Sequence, residues 1–343
     1  MVDIRDGSVF KKAYWHISPN LSPDRYITSS KNATVTFITD IDSISFRVKP
    51  KEKYQFVILL NNKEKALTEI VYIPSYRETL QKAVMYDPND NRPVPKFIYQ
   101  SADNPNLQSL RKHFKLDSIA GNGNEFSKVV NLLHWLHNLV PHDGNHNNPD
   151  IRNAESMISI CTKENRGLNC RGLAITLNEC YLSMGFKSRY VTCLPKDSLK
   201  IDNDCHVINS VFLNSLNKWV WIDPSFNVFI LNENGDPLSI EEVRQRIISN
   251  VPLTISPGAN WNNKNPVMKE DYLYNYMAKN LYILECAVAS EFDAETPSDL
   301  KTSGNGSELQ YIKLLPLDYF SQKPDKTGNC FNTNNSNEFW AKP

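Results

Sequence analysis

A cysteine, a histidine and an aspartate in the middle of the chain are spaced so as to permit covalent acyl chemistry. Cys170 stands in "RGLNCRGLAITLNECYLSMG" (residues 166–185), where a loop gives way to a helical apolar pattern. Leu173, Leu177, Cys180, Tyr181 and Met184 recur on one side, and Gly185 closes the run. The first turn of a helix presents unpaired backbone N–H groups and partial positive charge, which favour a thiolate over a thiol. A sulfur so placed needs a base, and the base needs a carboxylate to orient it.

His206 and Asp223 meet that requirement through strand register. "CHVINSVFL" and "KWVWID" read as two strands joined by "NSLN" (214–217). With that loop, Leu213 faces Lys218, Phe212 faces Trp219, Ser210 faces Trp221 and Ile208 faces Asp223. Side chains alternate along each strand, so His206 shares a face with Trp219, Trp221 and Asp223, and His206 and Asp223 become diagonal neighbours about 7–8 Å apart at the backbone. A slip of one residue would separate them onto opposite faces. Cys205, adjacent to His206, points the other way, and Cys180 falls on the apolar side of its helix.

In order, "GLNCRGLAITLNECYLSMGFKSRYVTC", "DCHVINSVFL" and "KWVWIDPSFN" resemble the core of the transglutaminase-like superfamily, whose members share a papain-like fold. The resemblance spans roughly residues 125 to 230 and implies Cys170 as nucleophile, His206 as base and Asp223 as its orienting carboxylate. It further implies attack on an amide carbonyl, a thioester intermediate, and release to water or to an amine. The substrate class is then a peptide or protein, with no cofactor. Asn169 precedes the nucleophile and Arg171 follows it, a departure from the family pattern that leaves the second oxyanion donor open. Trp135 lies where some members supply an indole donor, although the helical pattern around it makes it a core residue. Asn169 and Trp221 are further candidates for the cleft. The alternative function is a binding or scaffold protein that keeps this fold without turnover.

Stepping outward, the elements that position these residues form an α+β order, helices first and antiparallel strands after. Phe126, Val129, Val130, Leu133, Leu136 and Val140 recur at helical spacing behind Asn124, and Pro141 ends the run. "AESMISICTKE" reads as a short helix capped by Asn153, and "KSRYVTCLP" as a strand. Between residues 26 and 75, "ATVTFITD", "SISFRVKP", "YQFVILLN" and "ALTEIVYIP" predict a β-rich unit. The turn-forming composition of residues 76–110 places a boundary near 100, giving a β-rich unit 1–100 and a catalytic unit 101–343.

His134, His137, His142 and His146 cluster in sequence, but "HDGNHNN" is a poor helix with no cysteine nearby, so a solvated loop rather than a metal site is expected. The seven cysteines contain no Cys-x-x-Cys pair. Across 343 residues, 38 basic and 38 acidic side chains balance, which removes the electrostatic footprint of a nucleic-acid or anionic-membrane partner. No apolar run approaches the ~20 residues that span a bilayer. The N-terminus lacks the apolar run of a signal peptide and equally fits a chain from which one has been removed. The likeness of this architecture to bacterial cell-envelope proteins implies an extracytoplasmic setting.

Overall fold

The computed structural model describes residues 1–61, 63–197, 199, 203–301, 309–324 and 329–343. The chain divides into two compact units, Met1–Thr79 and Leu80–Pro343. Of the turn-rich stretch 76–110 that the sequence offers as a connection, residues 80–110 lie within the second. Its scattered apolar residues explain why: Leu80 and Ala83 enter that unit's core, Tyr86, Val94 and Phe97 pack against it, and Ile98–Tyr99 pairs in parallel with Ala289–Ser290.

In the first unit, β1 (Val2–Asp6), β2 (Val9–Trp15), β4 (Thr34–Ile38) and β5 (Ser43–Arg47) make one sheet in the order β2-β1-β4-β5. A second sheet runs β3 (Asp24–Thr28), β7 (Glu64–Tyr72), β6 (Lys53–Leu60). Alternation sets the inner faces: Val35 and Phe37 of β4 are buried between outward neighbours. Trp15, Tyr26, Phe37 and Phe56 close the core, with successive ring centroids 5.0 to 5.7 Å apart. The buried Asp6 carboxylate accepts from Tyr26 Oη at 2.8 Å and Thr28 Oγ1 at 2.9 Å, tying one sheet to the other. Strands β1 and β2 precede the segment that the sequence marked as β.

The second unit opens with helices α1 (Pro105–His113), α2 (Leu116–Ala120), α3 (Glu125–Leu139), α4 (Ala154–Glu164) and α5 (Cys170–Ser183). Asparagines start four of them: the side chains of Asn104, Asn124, Asn153 and Asn169 accept from backbone N–H groups of the first turns of α1, α3, α4 and α5, Asn124 and Asn153 as the sequence predicts. Strands β8 (Ser188–Leu194), β9 (His206–Leu213), β10 (Lys218–Asp223) and β11 (Val228–Leu231) follow. Beyond helix α6 (Ile240–Ser249) come β12 (Thr254–Ile255), a two-stranded turn at 260–266, a π-helix (Glu270–Met277), and strands β13 (Ile283–Ala287), β14 (Tyr311–Leu314) and β15 (Cys330–Thr333).

The sheet order is β12-β11-β10-β9-β8-β13-β14-β15, antiparallel except for the last pair. Both faces are covered. Val191, Cys193, Ile208 and Trp221 meet α6 and the π-helix, whereas Tyr190, Val207, Val211 and Ile222 meet the layer α1–α5. Every position of β8 and β9 is therefore buried, which is unusual for an antiparallel sheet with one wet side. The fold is α+β and papain-like, with a β-rich N-terminal unit.

Candidate active site

Two glycines shape the approach to Cys170 and the first turn of its helix. Asn169 caps α5, its Oδ1 accepting from Gly172 N at 3.1 Å and from Asn148 Nδ2 at 2.7 Å. Asn169 N in turn donates to Asn148 Oδ1 at 3.0 Å. Gly172 makes room for this interlock, since a Cβ there would lie 2.5 Å from Asn148 Oδ1. Gly167 allows the approaching loop to lie against Pro141, whose carbonyl oxygen a Cβ would strike. Leu168 N donates to Pro141 O at 3.1 Å, and Asp143 N donates to Leu168 O at 2.7 Å. His142, between Pro141 and Asp143, is thereby fixed two residues from Cys170 across a parallel bridge with Leu168.

His206 is the first residue of β9 and Asp223 the last of β10. The observed register pairs Ser210 with Trp221, Phe212 with Trp219 and Leu213 with Lys218, as the "NSLN" loop requires. His206 Nε2 lies 2.7 Å from Asp223 Oδ2, with both side chains buried. His206 Nδ1 is 3.4 Å from Tyr276 Oη, and the Cys170 sulfur is near enough to raise the imidazole's proton affinity. Asp223 accepts two further bonds, from Tyr272 Oη at 2.6 Å and Ser225 N at 2.9 Å. A carboxylate with three donors is locked in orientation and stays hydrogen-bonded although buried.

Tyr272 and Tyr276, four residues apart, come from the π-helix, which delivers one hydroxyl to the aspartate and the other to the histidine. Trp221 is fully buried and donates Nε1 to Tyr272 Oη at 3.2 Å, so it supports the carboxylate from below and does not line a cleft. Trp219 donates to Trp340 O at 3.2 Å and is likewise core. Trp135 packs against Phe114 within the helical layer, their rings 5.6 Å apart. Asn169 acts on the site as a helix cap. Arg171 is held by Glu295, with Nη2 to Oε1 at 2.6 Å and Nε to Oε2 at 2.8 Å.

Electrostatics separate Cys170 from the other thiols. Burial pushes its thiol up, but the neighbouring imidazoles of His142 and His206 outweigh this and bring it down to about 6. For His206 burial favours the neutral ring, yet the adjacent Asp223 and the Cys170 sulfur more than offset it and hold the imidazole at about 10. Between those values the thiolate–imidazolium pair is the stable form. Burial instead raises Cys161, Cys180, Cys193 and Cys286, and Cys205 is pushed up to about 11 by burial and by the Cys170 charge.

The histidine cluster differs from its sequence reading. His146 is exposed beside Asp143, as a solvated loop predicts. His142 is half-buried against Cys170, and His134 and His137 reach across to the segment after β10, His134 Nδ1 to Asn227 Oδ1 at 2.6 Å and His137 Nδ1 to Pro224 O at 2.9 Å. Helical periodicity marked the face these two residues occupy but not their partners, which lie some ninety residues on in the chain. Among the described residues no helix is long and apolar enough to cross a membrane, and no group of three or more metal-binding side chains gathers.

Residues 112–224 match the family model described as the transglutaminase-like superfamily. Among solved structures, the chain is similar to a candidate cysteine protease from Cytophaga hutchinsonii, at 18% identity and a TM-score of 0.27, covering 47% of this chain and 49% of that one. It is also similar to a candidate protease from Parabacteroides distasonis ATCC 8503, at 12% identity and a TM-score of 0.25, covering 57% of this chain and 37% of that one. The chain thus spans half or less of the length of these structures. No curated protein matches it.

Proposed function

Because residues 112–224 form a transglutaminase-like domain, we propose that this protein is a cysteine enzyme acting on amide bonds of peptides or proteins. One observation carries the reading: His206, whose imidazole lowers the proton affinity of the Cys170 thiol, lies with Nε2 2.7 Å from Asp223 Oδ2. Cys170 Sγ attacks the amide carbonyl carbon, forming an S–C bond while the carbonyl π pair moves to oxygen. Collapse breaks the C–N bond, and the amine leaves with the proton held by the His206 imidazolium. Asp223 keeps the ring in the productive tautomer and stabilises its charged form. The thioester then passes its acyl group to water, giving a protease or amidase, or to a primary amine, giving a cross-linking acyltransferase.

The test is labelling with a limiting amount of iodoacetamide near neutral pH. Cys170 should be modified well ahead of the other cysteines, with its reactivity falling in His206→Ala. Uniform slow labelling would favour a scaffold without turnover. New peptide termini mark the hydrolase, and attachment of an added primary amine to the acyl donor marks the transferase. The Met1–Thr79 unit serves in this reading as a substrate-positioning or surface-binding module. Its deletion with activity on macromolecular substrates intact would remove that role.

A further inference from the structure

Two imidazoles flank Cys170, and only one of them has a carboxylate. His206 is engaged by Asp223, whereas His142 is fixed entirely by backbone and aromatic contacts. Asn262 clamps its main chain from both ends: His142 N donates to Asn262 Oδ1 at 2.7 Å, and Asn262 Nδ2 donates to His142 O at 2.9 Å. The ring packs on Trp261, centroids 4.3 Å apart, and Trp261 continues through Phe226 at 5.0 Å to His206 at 5.5 Å. One aromatic wall therefore sets both imidazoles around a single sulfur. His142 Nδ1 is shielded from solvent and has no hydrogen-bond partner among the described residues. A buried polar atom left in this state, beside a nucleophile, is aimed at something the resting protein does not supply.

We infer that His142 is the second donor of the oxyanion hole, its ring N–H converging with the Cys170 backbone N–H on the oxygen of the tetrahedral intermediate. The inference rests on the acyl-transfer reading above and names the donor which that reading lacks. As the S–C bond forms and negative charge moves from sulfur to the carbonyl oxygen, a donor with no partner among the described residues of the resting protein is placed to receive it. The alternative donors suggested by sequence are otherwise engaged: Trp135 in the helical core and Asn169 in its cap.

Two reactions at one sulfur separate this role from a structural one. Acylation by p-nitrophenyl acetate passes through an oxyanion, and alkylation by iodoacetamide, which displaces iodide, does not. Each rate is followed to its pH-independent plateau, so that altered thiol ionisation does not enter. In His142→Phe the acylation plateau should fall by about 10²-fold or more while the alkylation plateau stays nearly unchanged. His142→Gln, which keeps an N–H donor, should recover much of the loss. Plateaus that fall together, or neither falling, would overturn the assignment. If wild-type Cys170 is not the thiol modified, the acyl-transfer reading fails instead.

A second measurement avoids substitution. In wild-type protein carrying ¹⁵N-histidine, adding propionaldehyde to form the Cys170 hemithioacetal should shift the His142 ring N–H resonance. A hemithioacetal that leaves that resonance unmoved would equally refute the role.

Discussion

At the scale of single residues, the site is a charge pair tuned by unequal neighbours. The thiol ionises near about 6 and the imidazole loses its proton near about 10, so the reactive ion pair fills the interval between them. The rate of Cys170 alkylation should rise as pH climbs through the lower value. Turnover, which also draws on the imidazolium proton for the leaving amine, should fall through the upper one, both values being macroscopic properties of the coupled pair. Asp223→Asn removes the charge that raises His206, so the alkaline limb should move to lower pH, and turnover should fall by about 10²-fold or more. A pH–rate profile of the two proteins checks both. An unmoved alkaline limb would mean that Asp223 does not set the histidine's proton affinity. The residues of this pair were legible in the sequence because a helix start and a hairpin register are local facts. His142 was not, since its position depends on a bridge to Leu168 and a clamp from Asn262, more than a hundred residues away.

At the scale of elements, the geometry rests on where backbone can approach backbone. The "NSLN" loop fixes β9 against β10, and this alone brings His206 to Asp223. The π-helix was harder to read. "DYLYNYMAKN" has an ordinary helical composition, and nothing in it marks the π-helical turn that carries Tyr272 and Tyr276 to the His–Asp pair. Glycines carry the remaining information. In Gly172→Ala the new methyl would meet Asn148 Oδ1 and push it from Asn169, loosening the cap beneath the nucleophile. Overpacking of this kind costs about 1–3 kcal/mol. Chemical denaturation should show that loss, and iodoacetamide labelling of Cys170 should slow in the same variant. A stable protein with wild-type labelling would show that the Asn148–Asn169 interlock does not matter to the sulfur.

At the scale of the whole chain, composition sets what each unit can do alone. The Met1–Thr79 core is a closed set of residues between Val2 and Tyr72, with Trp15, Tyr26, Phe37 and Phe56 at its centre. The Leu80–Pro343 unit has two core clusters, one on each side of its sheet. Domains of such unequal size differ in the heat absorbed on melting, at ~0.7 kcal/mol per residue giving about 55 kcal/mol for the smaller and about 180 kcal/mol for the larger. The smaller buries a lower fraction of its surface and should melt first. Calorimetry is therefore expected to resolve two transitions. The histidine–aspartate pair lies in the larger unit, so Asp223→Asn should lower the midpoint of the larger transition and leave the smaller in place. Breaking a buried pair by removing one charge typically costs about 3–5 kcal/mol, enough to shift a transition of that size by several degrees. A single transition moving as a whole would mean that the two cores unfold as one cooperative body.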